Sequence, residues 1–508
     1  MTEKYNKTLL KKINEANVYD VAIKTPLQLA DKISKKLKNK IYMKREDLQP
    51  VFSFKLRGAY NKILNLRKNK KITSIIAASA GNHAQGVALS AMKLGLQACI
   101  VMPKTTPKIK VDAVKALKAS VVLHGDSYDD AYSYAINKSV KEGLEFIHPF
   151  DDLDVIAGQG TIAVEIMDQL KMKPDYIFIP VGGGGLLAGV TAYIKNNSPK
   201  TKIVAVEPED SDCFNQAFLA KKRVMLKNVG IFTDGVAVKQ IGSKTFDITK
   251  DLVDSCILVT TDEICAGIKD LYDETRTIAE PAGALSIAGI KKFIKKHNIK
   301  KKTFVGIFCG ANMNFDALRH VAERSDIGEM NEMLLGVTIP EIPGSFKKFC
   351  SLIGKRSITE FNYRYSDTRS AQVFAGIKIN NSYDDRKTVI KALKMNKYKV
   401  RDFTDNEMAK LHIRYMVGGI TPSLQNEKIF RFIFPEKPGE LYTFLNAIGS
   451  KWNISLFHYR NHGADFGRVL IGFQINNGEK NNLLKHLQSL NYEFFEETDN
   501  QAYKLFLS

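Results

Sequence analysis

The segment FIPVGGGGLLAGV, residues 178–190, passes from an apolar strand pattern through four glycines into a helical pattern. Because they lack Cβ atoms, Gly182, Gly183, Gly184 and Gly185 allow backbone N–H groups to converge on one anion at the start of the helix. No G-K-[ST] sequence is present, which excludes a P-loop, and the spacing does not fit a dinucleotide fingerprint convincingly. The segment therefore predicts a phosphate-binding turn, with a purely structural glycine loop as the alternative.

Similar apolar runs recur between residue 24 and about residue 325, with helical patterns between most of them. They are SIIAAS (74–79), QACIVMP (97–103), SVVLHG (120–125), YIFIPV (176–181), KIVAVEP (202–208) and TFVGIFCG (303–310). Short, β-branched runs that are apolar on both faces are typical of buried strands in a parallel sheet. Their alternation with helices predicts an α/β fold with helices on both faces of a largely parallel sheet. Ligands are then expected beyond the carboxyl ends of the strands.

From about residue 330 the pattern changes and an internal repeat appears. IPEIPGSFKKFCSLIG (339–354) aligns with FPEKPGELYTFLNAIG (434–449), so that Pro340 and Pro435 are 95 positions apart. Each copy has the order strand, turn, helix, strand, strand, helix, strand, which predicts two ferredoxin-like α+β modules. We expect an α/β region with two subdomains over residues 1–328, a first module over 329–422 and a second over 423–508.

The composition is that of a soluble globular protein, with 508 residues of which 44% are hydrophobic and 25% charged. No apolar run approaches the roughly 18 residues that span a bilayer, and the amino terminus does not resemble a signal or transit peptide. We therefore expect a cytoplasmic protein without membrane association. The net charge of +21 comes from lysines spread over the whole chain, so no nucleic-acid partner is expected.

The cysteines and acids give no metal signature. The six cysteines are scattered without a C-x-x-C pair, which argues against a disulfide framework or structural zinc. EPEDSDC (207–213) could offer oxygens to a cation, but a solvated acidic turn is the favoured interpretation. No Ser-His-Asp order, H-E-x-x-H helix or D-x-D-x-D loop is evident, so triad hydrolases, zincins and EF-hands gain no support.

FSFKLRGA (52–59) places Lys55 between aromatic and aliphatic neighbours. Removing water from an ammonium group lowers its pKa and frees a nucleophilic amine. The alternative is a lysine at the start of an amphipathic helix that extends its amine into solvent.

SAGNHAQG (79–86) follows one strand and begins a helix, and FCGANMN (308–314) ends the last strand. The Asn82 amide could bind a phenolic oxygen, whereas His83 is expected to be a structural hydrogen bonder more than a base. Cys309 stands where a side chain would enter the cleft, unless it is merely a small buried thiol. Backbone N–H groups suited to a carboxylate are expected at Ser79, Ala80, Gly81, Asn82 and His83. One phosphorylated, aldehyde-bearing cofactor would use all these groups together.

In this order, SFKLRGA, SAGNHAQG, GGGGL and CGANMN resemble the motifs of fold-type II pyridoxal-phosphate enzymes. The match is to the biosynthetic threonine dehydratases over nearly the whole chain, and the two carboxy-terminal copies resemble that family's paired ACT-like regulatory modules. The resemblance implies that pyridoxal 5'-phosphate is bound covalently by Lys55, with Asn82 at its ring hydroxyl and Cys309 facing its ring nitrogen. It also implies a phosphate site formed by Gly182, Gly183, Gly184, Gly185 and Leu186.

The resemblance further implies that the protein removes water from L-threonine, and secondarily from L-serine, as a lyase. The products from threonine would be 2-oxobutanoate and ammonia, in the first committed step of isoleucine biosynthesis. Isoleucine would act as inhibitor and valine as its antagonist in a homotetramer. Tyr363 and Tyr459, at matching positions of the two copies, are the expected effector contacts, with aromatic packing as the alternative.

Two departures from the family pattern bear on the alternatives. Many relatives have serine where this chain has Cys309, and related serine racemases have a second serine where it has Ala80. The latter argues against racemisation. A serine dehydratase, serine racemase or sulfhydrylase-like synthase is the alternative within the same fold. A catalytically silent amino-acid sensor is the alternative of another class, and intact Lys55, Asn82 and glycine loop argue against it. A basic nucleic-acid binder would show steeply salt-dependent binding.

Overall fold

The computed structural model describes most of the chain and separates it into two compact units, residues 1–325 and 326–508. Each unit is described by itself. The described residues are 3–230, 232–340, 345–354, 356, 358–364, 370–379, 383–415, 426–435, 444, 448, 452–460, 466–476, 478–490 and 492–507. Within them, none of the helices combines the length and apolar character needed to cross a membrane.

The first unit contains two sheets. Its strands are β1 (Leu27–Leu29), β2 (Lys40–Arg45), β3 (Ser74–Ala78), β4 (Gln97–Met102), β5 (Ser120–Leu123), β6 (Glu145–Phe146), β7 (Tyr176–Pro180), β8 (Lys202–Pro208), β9 (Ser255–Val259) and β10 (Thr303–Phe308). The larger sheet has the order β1-β2-β10-β7-β8-β9, and the smaller one has the order β5-β4-β3-β6. All neighbouring strands pair in parallel except β1, which is antiparallel to β2 at the edge.

Helices alternate with these strands along the chain, and several of them pack on the sheets. They are α1 (Glu3–Asn14), α2 (Asp31–Leu37), α3 (Lys55–Asn69), α4 (Asn82–Leu94), α5 (Lys108–Ala116), α6 (Tyr128–Glu142), α7 (Leu153–Gln169), α8 (Gly185–Asn197), α9 (Cys213–Ala220), α10 (Ser243–Thr249), α11 (Thr261–Thr275), α12 (Pro281–His297) and α13 (Leu318–Gly328). Central strands such as β10 are buried along their whole length, because helices pack on both faces of the sheet.

The predicted α/β class and all six predicted strand positions are confirmed. One detail differs, because β5 is only partly buried. It forms the edge of the smaller sheet, where one side lacks a neighbouring strand. The strand Lys40–Arg45 was not predicted, because charged residues at both of its ends hide the strand pattern.

A group of buried charges joins α3 to the larger sheet. The Arg57 guanidinium donates to both oxygens of Glu46 at 2.8 Å and to both oxygens of Glu165, at 2.6 and 3.1 Å. Lys44 Nζ donates to Glu165 at 2.6 Å. All four side chains are almost inaccessible to solvent. Burial favours a protonated Glu165, but hydrogen bonds and charge from Arg57 hold the pKa of Glu165 below its ordinary value.

The second unit contains two modules with the same sheet order. The first comprises β11 (Glu332–Pro340), α14 (Ser345–Ile353), β12 (Ile358–Arg364), β13 (Ser370–Lys378), α15 (Tyr383–Met395), β14 (Lys399–Asp402) and α16 (Glu407–Leu411). The second comprises β15 (Glu427–Pro435), β16 (Asn453–Arg460), β17 (Phe466–Gln474), α17 (Lys480–Ser489), β18 (Glu493–Glu496) and α18 (Gln501–Phe506). The antiparallel sheets are ordered β12-β13-β11-β14 and β16-β17-β15-β18, which confirms the duplicated α+β architecture.

Equivalent contacts recur in both modules. Thr404 Oγ1 accepts from Leu334 N at 3.1 Å, and Thr498 Oγ1 accepts from Ile429 N at 3.0 Å. The short helices α16 and α18 were not predicted, and each begins at an asparagine cap. The predicted second-module helix in the segment 434–449 lies largely outside the described residues, and so do the turns after Pro340 and Pro435.

The buried charge group predicts a large loss of stability when one member is removed. Arg57→Met leaves Glu46 and Glu165 buried with only Lys44 to balance them, so we expect unfolding to become easier by about 3–5 kcal/mol. The measurement is urea denaturation of the full chain, in which a tertiary-structure signal monitors unfolding. As a control, Lys141→Ala at an exposed position near the end of α6 should leave the midpoint unchanged. Similar midpoints for both variants would contradict the role of the charge group.

Candidate active site

The loops at the carboxyl ends of the strands meet in one cleft of the first unit. The chain before α3 is tied to the loop after β10, since Ser53 forms a β-bridge with Gly310 and Ala311 N donates to Phe52 O at 2.9 Å. Phe54 N donates to Cys309 O at 3.2 Å. These bonds place the first residue of α3 beside Cys309.

Lys55 is the first residue of α3, and its amine faces the connection after β6. Its Nζ donates to the carbonyl of Pro149 at 3.3 Å. Burial lowers the pKa of Lys55 to about 8, while the nearby Cys309 and Glu280 oppose this shift. The structure thus favours a desolvated amine over a lysine extended into solvent, and an appreciable fraction of Lys55 is uncharged near neutral pH.

The glycine loop joins β7 to α8 beside this amine. Gly184 has φ of +89°, in the left-handed region that favours glycine, and α8 begins at the next residue. A Cβ on Gly183 would lie 2.2 Å from the ring of Phe150. Phe150 directly follows Pro149, whose carbonyl accepts from Lys55, so amine and loop contact adjacent residues. Leu186, which was predicted with this site, is buried in the first turn of α8.

Asn82 is the first residue of α4, at the end of the loop that follows β3. Its Nδ2 donates to Glu280 Oε1 at 2.6 Å, and its Oδ1 accepts from Asn312 Nδ2 at 2.7 Å. The preceding residues Ser79, Ala80 and Gly81 are partly exposed, and a Cβ on Gly81 would meet nothing within 4 Å. This loop therefore borders open space, as a site for a substrate carboxylate requires.

His83 occupies a different environment from its neighbours. The side chain is buried, and its Nε2 lies 2.9 Å from the carbonyl of Ile147, so it donates there. Burial and the charge of Lys55 lower the pKa of His83 to about 3. The imidazole is therefore neutral and bound to the backbone, which agrees with a structural role for this side chain.

Cys309 lies at the end of β10 with its side chain buried. Its Sγ is 3.3 Å from the carbonyl of Ala282, as a weak donor. Burial, reinforced by the charge of Glu280, raises the pKa of Cys309 well above its usual range. The thiol is thus neutral beside Lys55.

Two titratable residues of the cleft were missed in the sequence. Glu280 precedes Pro281 at the start of α12, and burial raises the pKa of Glu280 to about 7. His148 Nδ1 accepts from Asp151 N at 2.8 Å, and burial lowers the pKa of His148 to about 4. An acid directly before a proline is a helix-start signal that marks the position of Glu280 but not its burial.

The expectation of a solvated acidic turn at 207–213 is wrong for Glu207. This side chain is inaccessible to solvent, and its carboxyl accepts from Phe214 N at 2.9 Å and Asn215 N at 2.8 Å. It thereby binds the first turn of α9, and burial raises the pKa of Glu207 to about 8. Across the part of the chain that the structure describes, no group of three or more His, Cys, Asp or Glu side chains could hold a metal ion.

The tyrosines expected to contact effectors occupy equivalent backbone positions in the two modules. Tyr363 in β12 is opposite Val373, and Tyr459 in β16 is opposite Val469. Their side chains lie outside the described residues.

Comparison with known proteins places this cleft in a family context. Residues 18–310 match the family model of the pyridoxal-phosphate dependent enzymes. Residues 323–413 and 419–507 each match the model of the C-terminal regulatory domain of threonine dehydratase.

Curated proteins are similar over nearly the whole chain. The L-threonine dehydratase biosynthetic IlvA of Pasteurella multocida is 50% identical over 98% of this chain and 97% of its own. The protein of the same name from Escherichia coli is 49% identical over the same shares, 98% and 97%. The biosynthetic, chloroplastic threonine dehydratase of Arabidopsis thaliana is 47% identical over 98% of this chain and 84% of its own.

Solved structures agree with these sequence matches. The processed form of threonine deaminase isoform 2 from Solanum lycopersicum has a TM-score of 0.63 and 48% identity, covering 64% of this chain and 90% of its own. Maize serine racemase has a TM-score of 0.57 and 29% identity, covering 61% and 96%.

The chemistry of the cleft fits the cofactor of the matched family. A helix start at which Gly183 and Gly184 have no room for side chains suits a phosphate, and the lowered pKa of Lys55 suits covalent attachment to an aldehyde. The Asn82 amide nitrogen has a second hydrogen beyond the one that it gives to Glu280.

The close contact at Gly183 predicts a specific defect. In Gly183→Ala the new Cβ collides with Phe150, so the loop must shift, and we expect the affinity for pyridoxal 5'-phosphate to fall by at least about tenfold. Fluorescence titration of the cofactor-free protein measures this affinity. Phe150→Leu in the same chain should recover part of the loss. Unchanged affinity in Gly183→Ala would show that the loop does not hold the cofactor.

Proposed function

This chain belongs to the biosynthetic threonine dehydratase family of pyridoxal-phosphate dependent enzymes, and from that premise we propose that it converts L-threonine to 2-oxobutanoate and ammonia. The observation that carries the proposal is the place of the Lys55 amine, whose pKa burial lowers to about 8, beside a helix start that has no room for a side chain at Gly183. L-Serine is a secondary substrate. The reaction is the first committed step of isoleucine biosynthesis.

The cofactor would be held by residues from four loops. Lys55 would attach it, Asn82 would bind its ring hydroxyl, and Cys309 would face its ring nitrogen. Its phosphate would lie at Gly182, Gly183, Gly184, Gly185 and Leu186. When bound, pyridoxal phosphate supplies an aldehyde that reacts with amines and a ring that withdraws electrons from the substrate Cα.

Lys55 is the residue that moves the proton. With its amine free, a pKa lowered by burial lets Nζ take the proton from the substrate Cα near neutral pH. The backbone N–H groups of residues 79–83 would hold the substrate carboxylate and so direct Cα toward Nζ. The β-hydroxyl then leaves together with one proton as water, which balances the proton that Nζ has taken from Cα. The released enamine tautomerises and takes up one water to give 2-oxobutanoate and ammonia.

The histidines and the cysteine of the cleft do not compete for this proton. His83 and His148 are neutral at pH 7, and the Cys309 thiol keeps its proton. A neutral thiol places no charge at the ring-nitrogen position, which favours elimination over reactions that need stronger electron withdrawal. Ala80 offers no hydroxyl for proton return to the opposite face, and this supports dehydration over racemisation.

The second unit is proposed to regulate the reaction. Its two modules match the regulatory domain of threonine dehydratase, and we assign isoleucine to them as inhibitor and valine as antagonist. Tyr363 and Tyr459 are the proposed contacts. Inhibition requires that isoleucine bind two states of a homotetramer with different affinity. The proposed location is the cytoplasm.

A turnover assay tests the reaction and the role of Lys55. The holoenzyme is expected to form 2-oxobutanoate from threonine faster than pyruvate from serine. Lys55→Ala should lose at least about a thousandfold in kcat, because both cofactor attachment and proton removal depend on this amine. Lys68→Ala, on the exposed end of the same helix, should match the wild type. Faster turnover of serine would favour a serine dehydratase, and retained activity in Lys55→Ala would refute the mechanism.

A truncation tests the role of the second unit. The full chain is expected to be inhibited by isoleucine, and valine should relieve the inhibition. A chain that ends after residue 330 should keep its cofactor absorbance and lose this inhibition, because the effector sites are assigned to the removed modules. Isoleucine inhibition that persists in the shorter chain would place the effector site in the first unit.

A further inference from the structure

Glu280 is a buried residue of the cleft that no sequence motif predicts. Only 5% of this residue is accessible to solvent, and its Oε1 accepts from Asn82 Nδ2 at 2.6 Å. A Cβ on Gly310 would lie 2.1 Å from that same oxygen. Glycine at position 310, directly after Cys309, therefore makes room for the carboxyl of Glu280.

The neighbours of Asn82 fix the orientation of its amide. Asn312 Nδ2 lies 2.9 Å from the carbonyl of Val51, and because a carbonyl can only accept, the Asn312 amino group faces Val51 as the donor. Its second partner, Asn82 Oδ1, must then accept, and Asn82 Nδ2 must face Glu280. A flipped Asn82 would set two donors against each other at Asn312 and two acceptors at Glu280.

The charges around Glu280 come from several elements. Asp234 repels its negative charge, whereas Lys110 and Lys55 attract it, and Lys110 is itself paired with Asp234. Cys309, which also faces Glu280, stays a neutral thiol. Burial raises the pKa of Glu280 to about 7, so the carboxylate and Lys55 influence each other's protonation near neutral pH.

We propose that Glu280 is a positioning residue of the dehydratase site, whose carboxylate orients the Asn82 amide toward the cofactor ring hydroxyl and provides the counter-charge to Lys55. This inference rests on the proposed function, because it assigns Glu280 a role in the dehydratase reaction. Its tests measure only cofactor binding and do not depend on the identity of the substrate. The two parts of the role are separable. Orientation needs the full length of the side chain, and the counter-charge needs only its ionisation.

Two variants separate these parts. Glu280→Asp keeps the charge but is too short to reach Asn82, so the dissociation constant for pyridoxal phosphate should rise about tenfold, as expected for a lost hydrogen bond to a charged group. Glu280→Gln keeps the length and an acceptor oxygen, so this constant should change less than about threefold. Both constants are measured on cofactor-free protein by fluorescence titration.

The rate at which Lys55 forms its covalent bond with the cofactor, called the capture rate, depends on pH. This dependence tests whether Glu280 provides the counter-charge to Lys55. Capture requires the uncharged amine, so its rate rises with pH through the pKa of Lys55, and in the wild type we expect the midpoint near pH 8. A carboxylate stabilises the ammonium form, so Glu280→Gln should move the midpoint down by about one pH unit. Glu280→Asp should stay close to the wild type. The growth of visible cofactor absorbance after mixing gives the rate.

A double-mutant cycle tests whether Glu280 acts through Asn82. Asn82→Ala alone should weaken cofactor binding, and Glu280→Asp added to it should cost less than about a further twofold, because the shared interaction is already absent. If Glu280 only capped α12, the two effects would multiply and the thermal midpoint would fall in parallel. Multiplying effects, or an unchanged capture midpoint in Glu280→Gln, would overturn the proposal. Threonine turnover by the wild type decides the proposed function separately, since neither cofactor measurement involves threonine.

Discussion

Arg57 lies two residues after Lys55 and is removed from water together with Lys44, Glu46 and Glu165. Its guanidinium bridges the turn after β2 to α7, and it also donates to the carbonyl of Ile23 at 3.2 Å. Four buried charges tolerate little displacement, because separating any partner leaves an uncompensated charge in a medium that solvates it poorly. The start of α3 is therefore fixed against the larger sheet, and so is the amine that the cleft depends on.

The other ionisable side chains of the cleft are either uncharged or close to a group of opposite charge. Burial acts in opposite directions on acids and bases, so it leaves His83 and His148 without charge while it favours the protonated thiol of Cys309. Burial brings the pKa values of Lys55 and Glu280 close to physiological pH, to about 8 and about 7. A site in which one lysine can exchange a proton beside one carboxyl group suits a reaction that removes the Cα proton and does not return a proton to the opposite face of Cα.

Local sequence patterns predicted much of this arrangement. The apolar strand runs predicted the parallel sheets, and the 95-residue repeat predicted the paired modules, because both signals can be read directly from the order of residues in the chain. Glu280, His148 and the burial of Glu207 depend on segments brought together only by folding, so no local pattern marks them. The same holds for β5, whose apolar run suggested burial although its edge position in the sheet leaves it partly exposed.

Lys55, at the start of α3, is the lysine proposed to carry the cofactor in this lysine-rich chain. Borohydride reduction of the cofactor-loaded protein makes such a bond permanent, and mass mapping of the digested chain then locates it. We expect one cofactor adduct per chain, on the peptide that contains Lys55, and the loss of this adduct in Lys55→Ala. An adduct on a different lysine, or a loaded and coloured protein that yields none after reduction, would contradict the account.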